Sequence, residues 1–301
     1  MKVLLVGSRG QLGWELLNAA KECGFDCEGL DTPQFDITDR GAVERTLGRK
    51  KFSLVINAAA YTAVDKAESE HKEAFAVNAE GPRYLALACA KTNIPLIHIS
   101  TDYVFDGNKT SPYIESDTIC PIGVYGQSKA AGEKAVREAL ETHIILRTSW
   151  LYSSHGNNFV KTICRLASER EQLKVVADQY GCPTYAADLA AAILDVAKQI
   201  NSGRSVQWGV YHYCGHGVTT WHEFAQKICE LGKKHAPLRV REIKAISTDE
   251  YPTAAKRPPH SALDCSKIER VFGIQTRFWQ DSLAEMLSRM FAGQKASYSA
   301  Q

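Results

Sequence analysis

Short β-type runs alternate with helical patterns along the first half of the chain. The runs have the length and the mostly apolar character of strands buried in a parallel sheet. They are KVLLVG (2–7), DCEGLD (26–31), SLVINAA (53–59), PLIHIS (95–100) and HIILRT (143–148). Apolar residues recur at helical spacing over 11–23, 40–47, 67–91 (with a break) and 125–140. The alternation predicts βαβ units, and therefore a Rossmann-like, doubly wound parallel α/β sheet over 1–148.

The second half of the chain is less regular. Helical patterns cover 157–169, 186–200, 221–234 and 281–292, strand-like pieces occur at 173–177 and 209–214, and a Pro-rich loop covers 251–263. We expect 149–301 to form mainly a smaller C-terminal α/β domain that binds the substrate. Segments from about 185 to 215 should return to the first domain, because the strand-like GVYHYC (209–214) could extend its sheet.

Composition narrows the class of protein. Hydrophobic residues make up 45% of the 301 residues and charged residues 23%, which is ordinary for a globular protein. A net charge of +2 argues against a dedicated nucleic-acid binder. The sequence has neither an apolar run long enough to span a membrane nor a signal-peptide pattern. The nine cysteines are scattered and form no C-x-x-C, which predicts reduced thiols in a cytoplasmic protein.

A glycine-rich turn follows the first predicted strand. Gly7, Gly10 and Gly13 are spaced G-x-x-G-x-x-G and open a helix. Glycines there let the backbone approach a pyrophosphate, which would lie against the free N–H groups of the helix N-terminus. Glycine spacing alone would also fit a simple strand-to-helix turn. The second strand ends in Asp31, a position from which a carboxylate can bind an adenosine ribose, and this context predicts a dinucleotide site.

Further positions extend the predicted coenzyme site. The segment FDIT (35–38) could line the adenine, and NAAAYT (57–62) ends the third strand with small residues such as Ala58 and Ala59, which leave room for a ligand. Asp31 favours the free 2′-hydroxyl of NADH, whereas Arg9 or Arg40 could pair with the 2′-phosphate of NADPH. We expect both coenzymes to be used, with NADPH preferred if Arg9 reaches the phosphate.

Candidate catalytic residues lie further along the chain. The fourth strand ends in Ser100, Thr101 and Asp102, and Tyr125 and Lys129 are four residues apart and therefore on one helix face. A lysine ammonium next to a tyrosine lowers the phenol pKa from its reference value of about 10. Thr101 would hold a substrate carbonyl oxygen, Tyr125 would protonate it, and Lys129 could also bind the nicotinamide ribose. By itself the Tyr–Lys pair would fit an ordinary surface contact; its order after the glycine loop and STDYVF favours an active site.

These motifs carry a family resemblance. GxxGxxG, NAAA, STDYVFDG and YGQSK, in this order, resemble the extended short-chain dehydrogenase/reductases. Within them GQLG, AAYTAVDKAE, YGQSKAAGE, DQYGCPT and YPTAAKRP are similar to the dTDP-4-dehydrorhamnose reductase family, and the match runs from Lys2 to about Phe291. The family reduces the 4-keto group of a dTDP-4-dehydro-L-rhamnose with NAD(P)H, which implies a dTDP-sugar as the partner of this chain.

The resemblance also assigns roles. It implies the triad Thr101, Tyr125 and Lys129, and it places Asp102 and Trp150 beside the sugar, with Asn158 or Arg257 near the pyrophosphate. The alternatives are a core tryptophan at 150 and a helix cap at 158. The implied coenzyme contacts, joined to those inferred above, are Gly7, Arg9, Gly10, Gln11, Leu12, Gly13, Asp31, Asp36, Ile37, Ala58, Ala59, Ala60, Tyr61, Thr62, Tyr125 and Lys129.

Three other functions are compatible with parts of this motif pattern. Sugar-nucleotide 4,6-dehydratases share the Tyr–Lys pair but need an acid after Thr-Asp, and here that residue is Tyr103. A non-catalytic subunit, like the regulatory β subunit of methionine adenosyltransferase, would bind nucleotide without turnover, and another sugar-nucleotide reductase is a third alternative. Some family members bind Mg²⁺ through glutamates at a dimer interface. Glu15 is present, but Ala187 and Arg289 occupy the other positions, so we expect no metal; a monomer and a homodimer both stay open.

Overall fold

The computed structural model describes residues 1–49, 51–203 and 205–298; the end of the predicted second domain, 299–301, lies outside the described residues. None of the helices in this part of the chain combines the length and hydropathy needed to cross a membrane. The strands are β1 (Lys2–Val6), β2 (Asp26–Leu30), β3 (Leu54–Asn57), β4 (Leu96–Thr101), β5 (His143–Thr148), β6 (Leu151–Tyr152), β7 (Gln172–Val176), β8 (Tyr180–Gly181), β9 (Thr184–Tyr185), β10 (Gly209–His212), β11 (Thr219–Thr220) and β12 (Glu242–Ile246). The α-helices are α1 (Gln11–Glu22), α2 (Arg40–Arg49), α3 (Val64–Ala67), α4 (His71–Phe75), α5 (Gly81–Thr92), α6 (Val124–Ala139), α7 (Phe159–Glu169), α8 (Ala186–Asn201), α9 (Trp221–Gly232), α10 (Ser266–Phe272) and α11 (Trp279–Tyr298).

A parallel six-stranded sheet forms the centre of the first half. Its strand order is β10-β5-β4-β3-β1-β2, and every neighbouring pair is parallel. The chain starts at β1, adds β2 on one side, and then crosses to β3 on the other side. The doubly wound sheet predicted from the alternation of runs is confirmed. In such sheets a ligand crevice opens where the strand order reverses, here between the carboxyl ends of β1 and β3.

Helices cover both faces of the sheet because its strands present apolar residues to both sides. Leu5 packs with α1, α8 and α10 in one core, whereas its neighbour Leu4 packs with α2, α5 and α6 in the other. The period of two along a strand produces this division. Two elements from the second half, α8 and β10, thus belong to the layers around the sheet.

The remaining elements build a separate core. Phe224 of α9 is fully buried and packs with residues of α7, β7 and α11, including Ile163, Leu173 and Met286. Strand β12 pairs with β7 but was not predicted from the sequence. Charged residues stand between the apolar residues of EIKAI and most of its positions are exposed, so the segment carries little apolar signal. The seven-residue helix α10 was missed because it is short.

The helical pattern predicted over 67–91 is divided in the structure. Helices α3 and α4 are followed by a π-helical turn (Ala76–Glu80), and α5 begins with Pro82 in its first turn. The π turn lies directly against α6, where a Cβ on Gly132 would come within 2.1 Å of the Asn78 carbonyl oxygen. A period-based prediction cannot detect such a turn, because one extra residue barely changes the apolar spacing.

A buried ion pair joins α6 to the sheet. Arg147 of β5 and Glu133 of α6 are 1% and 0% exposed, and their side chains form two hydrogen bonds of 2.8 and 2.7 Å. The Arg147 guanidinium also lies 5.1 Å from the Phe105 ring centroid and 3.3 Å from Nε2 of His212. Burial lowers the pKa of His212 to about 3, so its imidazole is neutral and Nε2 accepts while Nδ1 donates to the Tyr113 carbonyl.

We expect Glu133→Gln to lower the free energy of unfolding by about 3 to 5 kcal/mol, because it leaves the buried Arg147 charge without its counter-ion. Denaturant unfolding would measure the loss. The exposed pair Arg165–Glu169 provides the control, since Glu169→Gln should cost about 0.5 kcal/mol or less. Replacing both members of the buried pair by apolar residues should recover stability. Equal effects of the two single variants would contradict a special role for the buried pair.

Candidate active site

A cavity of about 920 Å³ opens at the switch point of the sheet. The glycine-rich turn, the ends of β2 to β5 and the start of α6 form one side of it, and Asn157, Asn158 and Trp221 form the other. Two parts of the chain that are far apart in sequence therefore enclose one space. Among the residues named from the sequence, most line this cavity: Gly7, Arg9, Gly10, Gln11, Leu12, Asp31, Asp36, Ile37, Ala58, Ala59, Ala60, Tyr61, Thr62, Thr101, Asp102, Tyr125, Lys129, Trp150 and Asn158.

Each of the three glycines of the turn lacks a side chain for a different physical reason. Gly7 has a φ of +82°, and a Cβ there would lie 2.4 Å from the Ala59 nitrogen. Gly13 does not line the cavity; a Cβ on it would meet the Gly7 carbonyl oxygen at 2.1 Å, so it allows α1 to start close to the strand. Gly10 precedes the first turn of α1 and meets only an ordinary contact within the chain. The absence of a side chain at Gly10 thus leaves room in front of the helix N-terminus, where N–H groups favour an anion.

Asp31 and Arg9 lie together at the end of β2. The Asp31 carboxylate accepts hydrogen bonds from the backbone N–H groups of Arg9 and Thr32, both at 2.8 Å. The Arg9 guanidinium is exposed and donates to the Thr32 carbonyl at 3.0 Å, and no carboxylate among the described residues forms an ion pair with it. Arg40 instead pairs with Glu44 at 3.1 Å and does not line the cavity, so of the two arginines only Arg9 stands at the ribose end.

Two asparagines that the sequence reasoning missed shape the floor of the site. Asn57 accepts from the Ala59 N–H at 3.1 Å, and Asn78 of the π turn exchanges two hydrogen bonds with the backbone of Tyr61, at 2.9 and 3.0 Å. Asn78 also donates to the Ser128 hydroxyl on α6. Both asparagines are fully buried, and a polar residue inside an apolar run was the signal that could have identified them.

Thr101, Tyr125 and Lys129 converge on the same cavity. The Thr101 hydroxyl donates to the Asp102 carboxylate at 3.0 Å. The Tyr125 ring packs edge-on against Tyr103 with centroids 5.5 Å apart. The Lys129 ammonium is 2% exposed and donates to the Ile99 carbonyl at 2.6 Å. The chain therefore brings together the three groups that the sequence named for catalysis.

The ionisation of these groups differs from the sequence-based expectation. Burial raises the pKa of Tyr125 to about 12, and burial lowers the pKa of Lys129 to about 8, against the opposing charge of Glu133. Lys129 is not among the groups that shift the Tyr125 pKa, because its ammonium is directed to the Ile99 carbonyl. Burial also raises the pKa of Asp102 to about 6, opposed by the hydrogen bond from Thr101. Tyr125 is thus a fully protonated phenol at neutral pH, the form that a proton donor needs.

The residues proposed for the sugar nucleotide have different positions. Trp150 lines the cavity and stacks on Trp221, which the sequence reasoning did not single out. Asn158 also lines the cavity, but it caps α7 by accepting from the Lys161 N–H at 3.1 Å and it donates to Gln11 at 2.9 Å. The cap alternative for Asn158 is therefore confirmed, while its amide still joins the substrate side to the glycine-rich turn.

Arg257 is not among the residues that line the cavity, and its contact with the pyrophosphate stays a prediction. Its guanidinium forms two hydrogen bonds to the Asp65 carboxylate, at 3.1 and 2.8 Å, and Arg257 holds the pKa of Asp65 below its usual range. Asp65 also accepts from the Ala255 N–H. The Pro-rich loop is thereby fastened to α3, which keeps the arginine away from the cavity lining.

The three positions considered for magnesium do not form a carboxylate cluster. Glu15 is buried and accepts from the Ser153 hydroxyl at 2.6 Å, and burial raises its pKa. Arg289 pairs with Glu285, and Ala187 packs against the second core. In the described part of the chain no group of three or more His, Cys, Asp or Glu side chains is arranged for a metal ion. Independence from magnesium stays a prediction.

Comparisons with known proteins agree with this geometry. The family model of the RmlD substrate binding domain matches residues 1–292. The dTDP-4-dehydrorhamnose reductase of Aggregatibacter actinomycetemcomitans is 44% identical over 94% of this chain and 97% of its own, and that of Escherichia coli K12 is 40% identical over 97% and 98%.

Solved structures of dTDP-4-dehydrorhamnose reductases are also similar to this chain. The chain resembles a crystal structure of the Clostridium acetobutylicum dTDP-4-dehydrorhamnose reductase with a TM-score of 0.90 and 38% identity, over 96% of this chain and 99% of that one. The Bacillus anthracis enzyme, solved in complex with NADP, gives a TM-score of 0.88 and 38% identity over 96% and 99%. The chain belongs to the dTDP-4-dehydrorhamnose reductase family.

Proposed function

We propose that this protein reduces dTDP-4-dehydro-L-rhamnose to dTDP-L-rhamnose with NADPH. The observation that carries the proposal is the convergence of Thr101, Tyr125 and Lys129 on the cavity that begins at the glycine-rich turn. Family membership supports the substrate, because the relatives named above carry this activity in their names. The free state of all nine cysteines supports a reducing, cytoplasmic location.

The site residues fit a bound NADPH. The N-terminus of α1 and the space in front of Gly10 suit the pyrophosphate, the Asp31 carboxylate suits a ribose hydroxyl, and the exposed Arg9 guanidinium suits a 2′-phosphate. The complex of the Bacillus anthracis relative with NADP supports this choice of coenzyme. NADH would lose only the contact to Arg9, so it should also serve.

The protein residues supply the proton and the orientation. Bound NADPH supplies a hydride to the C4 carbonyl carbon, and the carbonyl oxygen takes up one proton to become the hydroxyl. Thr101 and Tyr125, which line the same cavity, would hold that oxygen, and Tyr125 would donate the proton. Lys129, whose pKa is lowered to about 8 by burial, would bind the nicotinamide ribose.

The substrate would occupy the part of the cavity nearest the second core. Asp102, the residue after Thr101 in the sequence, would accept a hydrogen bond from a sugar hydroxyl. Trp150 would form an apolar wall beside the deoxysugar. Asn158 would lie near the pyrophosphate. This division assigns the coenzyme to the sheet side of the cavity and the dTDP-sugar to the side that Asn157, Asn158 and Trp221 complete.

The alternative functions have less support. A 4,6-dehydratase needs a carboxylic acid at position 103, and this chain has the phenol of Tyr103 there, which supplies no carboxylate. A non-catalytic nucleotide-binding subunit would not need the complete set of Thr101, Tyr125 and Lys129. A reductase for another sugar nucleotide would share this mechanism and differ only in the residues near Trp150.

We expect Tyr125→Phe to lower kcat by about 10² or more, the scale of general acid catalysis, because the variant lacks the hydroxyl that would donate the proton. The affinity for NADPH should change little, since the phenol oxygen serves mainly the transition state. Steady-state oxidation of NADPH with enzymatically made dTDP-4-dehydro-L-rhamnose measures both. Tyr84→Phe, on α5 and outside the cavity lining, is the matched control. Nearly full turnover by Tyr125→Phe, with an active wild type, would show that the proton comes from elsewhere; an inactive wild type would favour the non-catalytic subunit.

The position of Arg9 predicts a change in coenzyme preference. Arg9→Ala should weaken binding of NADPH by about tenfold or more, the scale of hydrogen bonds to a charged group, and leave NADH nearly unchanged. Fluorescence titration of the two coenzymes would give the dissociation constants. Arg40→Ala removes the same charge from the neighbouring helix and should leave the ratio of the constants as it is. Parallel losses of NADH and NADPH affinity in Arg9→Ala would remove Arg9 from the phosphate site.

We expect activity to survive EDTA without any gain from added Mg²⁺. The physical reason is that Glu15 bonds Ser153, while Ala187 offers no oxygen ligand and Arg289 places a positive charge at the third position. The assay compares initial rates before and after EDTA and after a magnesium titration. Loss of activity with EDTA and its return with Mg²⁺ would reveal ligands outside this set.

A further inference from the structure

Two tryptophans form a stacked pair on the wall of the cavity. The ring centroids of Trp150 and Trp221 are 3.6 Å apart and the rings are inclined by only 8°. Trp150 follows β5, whereas Trp221 begins α9 in the second core. Both residues line the cavity and both are only partly buried. The stack therefore joins the two halves of the molecule at the place where the proposed function puts the sugar.

The backbone of Trp150 is held in an unusual conformation. Its φ is +46°, in the left-handed region that bulky residues avoid and that persists only where the surroundings impose it. The surroundings do so on both sides: the Ser149 hydroxyl donates to the Cys182 carbonyl at 2.7 Å, and the Thr184 N–H donates to the Trp150 carbonyl at 3.2 Å. Hydrogen bonds on both sides of Trp150 thus hold this backbone conformation.

Gly181 leaves the space for that indole. A Cβ on Gly181 would lie 2.4 Å from one indole carbon of Trp150 and 2.6 Å from its nitrogen, closer than any real contact. Gly181 has no positive φ, so its backbone does not require glycine. The reason for glycine at this position is the approach of the ring.

Trp221 is itself fixed from behind. It is the first residue of α9, between Thr220 and Glu223 of the capping box, and the Phe159 ring packs against it with centroids 4.6 Å apart. Simple core packing would explain a buried pair of indoles. It would not explain why this pair lines a cavity. Nor would it explain why Trp150 adopts a left-handed backbone conformation and packs against Gly181, where a side chain would not fit.

We infer that Trp221 is a positioning residue for the sugar nucleotide, which acts by holding the Trp150 indole as a rigid wall of the cavity. The inference rests on the proposed function for the identity of the ligand. A wall that is held in place before the ligand binds does not have to be ordered on binding, and this preorganisation strengthens binding. The effect should appear in the affinity for the dTDP-sugar and not in that for NADPH, because neither indole lies at the glycine-rich turn.

Two substitutions that reach Trp150 from different sides test this mechanism. Trp221→Ala removes the stacking partner, and Gly181→Ala pushes the ring away while Trp221 stays intact. Each should raise KM for dTDP-4-dehydro-L-rhamnose by about tenfold, in line with the energy of one aromatic pair, and leave the dissociation constant of NADPH unchanged. Because both act through one ring, the double variant should be no worse than the poorer single variant. Trp221→Phe keeps a flat ring and should recover most of the affinity.

Circular dichroism gives an independent readout. Two closely stacked indoles couple their transitions and produce a paired band in the far ultraviolet, which Trp221→Phe, Trp221→Ala and Gly181→Ala should each remove or weaken. Trp208→Phe removes an indole that packs against the sheet core and should leave the band and KM unchanged. An unchanged NADPH dissociation constant in every variant confirms that the variants are folded.

The outcomes separate this inference from the proposed function. Loss of the band without a change in KM, or additive effects in the double variant, would overturn the inference while the enzyme stays a reductase. Calorimetric binding of dTDP-L-rhamnose in the presence of NADP repeats the comparison without turnover. A wild type that neither reduces the keto sugar nor binds the product would overturn the proposed function and this inference together.

Discussion

The buried ion pair between Glu133 and Arg147 connects the elements that carry the candidate chemistry. Glu133 lies four residues after Lys129 on α6, the helix that also carries Tyr125, and Arg147 lies in β5, three residues before Trp150. Two hydrogen bonds between buried charges tolerate little displacement, so the helix cannot slide along the strand without leaving a charge unpaired. The distance between Tyr125 and Trp150 therefore depends on this contact.

A second set of contacts ties the substrate side to the coenzyme side. The loop before α7 bonds the glycine-rich turn and α1 at three points: Asn158 donates to Gln11, His155 bonds the Arg9 carbonyl, and Ser153 donates to Glu15. These bonds join residues more than a hundred positions apart in sequence. Hydride transfer needs two ligands held at a fixed separation, and a direct connection between their binding loops provides it.

Burial, more than charge pairing, sets the ionisation of the site. Tyr125, Lys129 and Asp102 are each displaced from their ordinary pKa values chiefly by desolvation, in the direction that favours the neutral form. Placing a phenol and an amine in a cavity closed by Trp150, Tyr103 and the strand ends disfavours phenolate and ammonium alike. A site of this kind keeps the Tyr125 phenol protonated at neutral pH.

The sequence by itself determined the local features of this protein. The continuous apolar run in KVLLVG and the helical period after Gln11 predicted the strands and helices of the sheet. The order of GxxGxxG, STDYVFDG and YGQSK named residues that do line one cavity. Such signals need only neighbours along the chain.

The tertiary structure alone decided that Arg257 pairs with Asp65 and that Trp221 and Gly181 enclose Trp150. It also decided that Lys129 faces the Ile99 carbonyl. These outcomes depend on which residues distant in sequence are brought into contact, and on how much water that packing removes, and neither quantity leaves a periodic or motif signal in the chain.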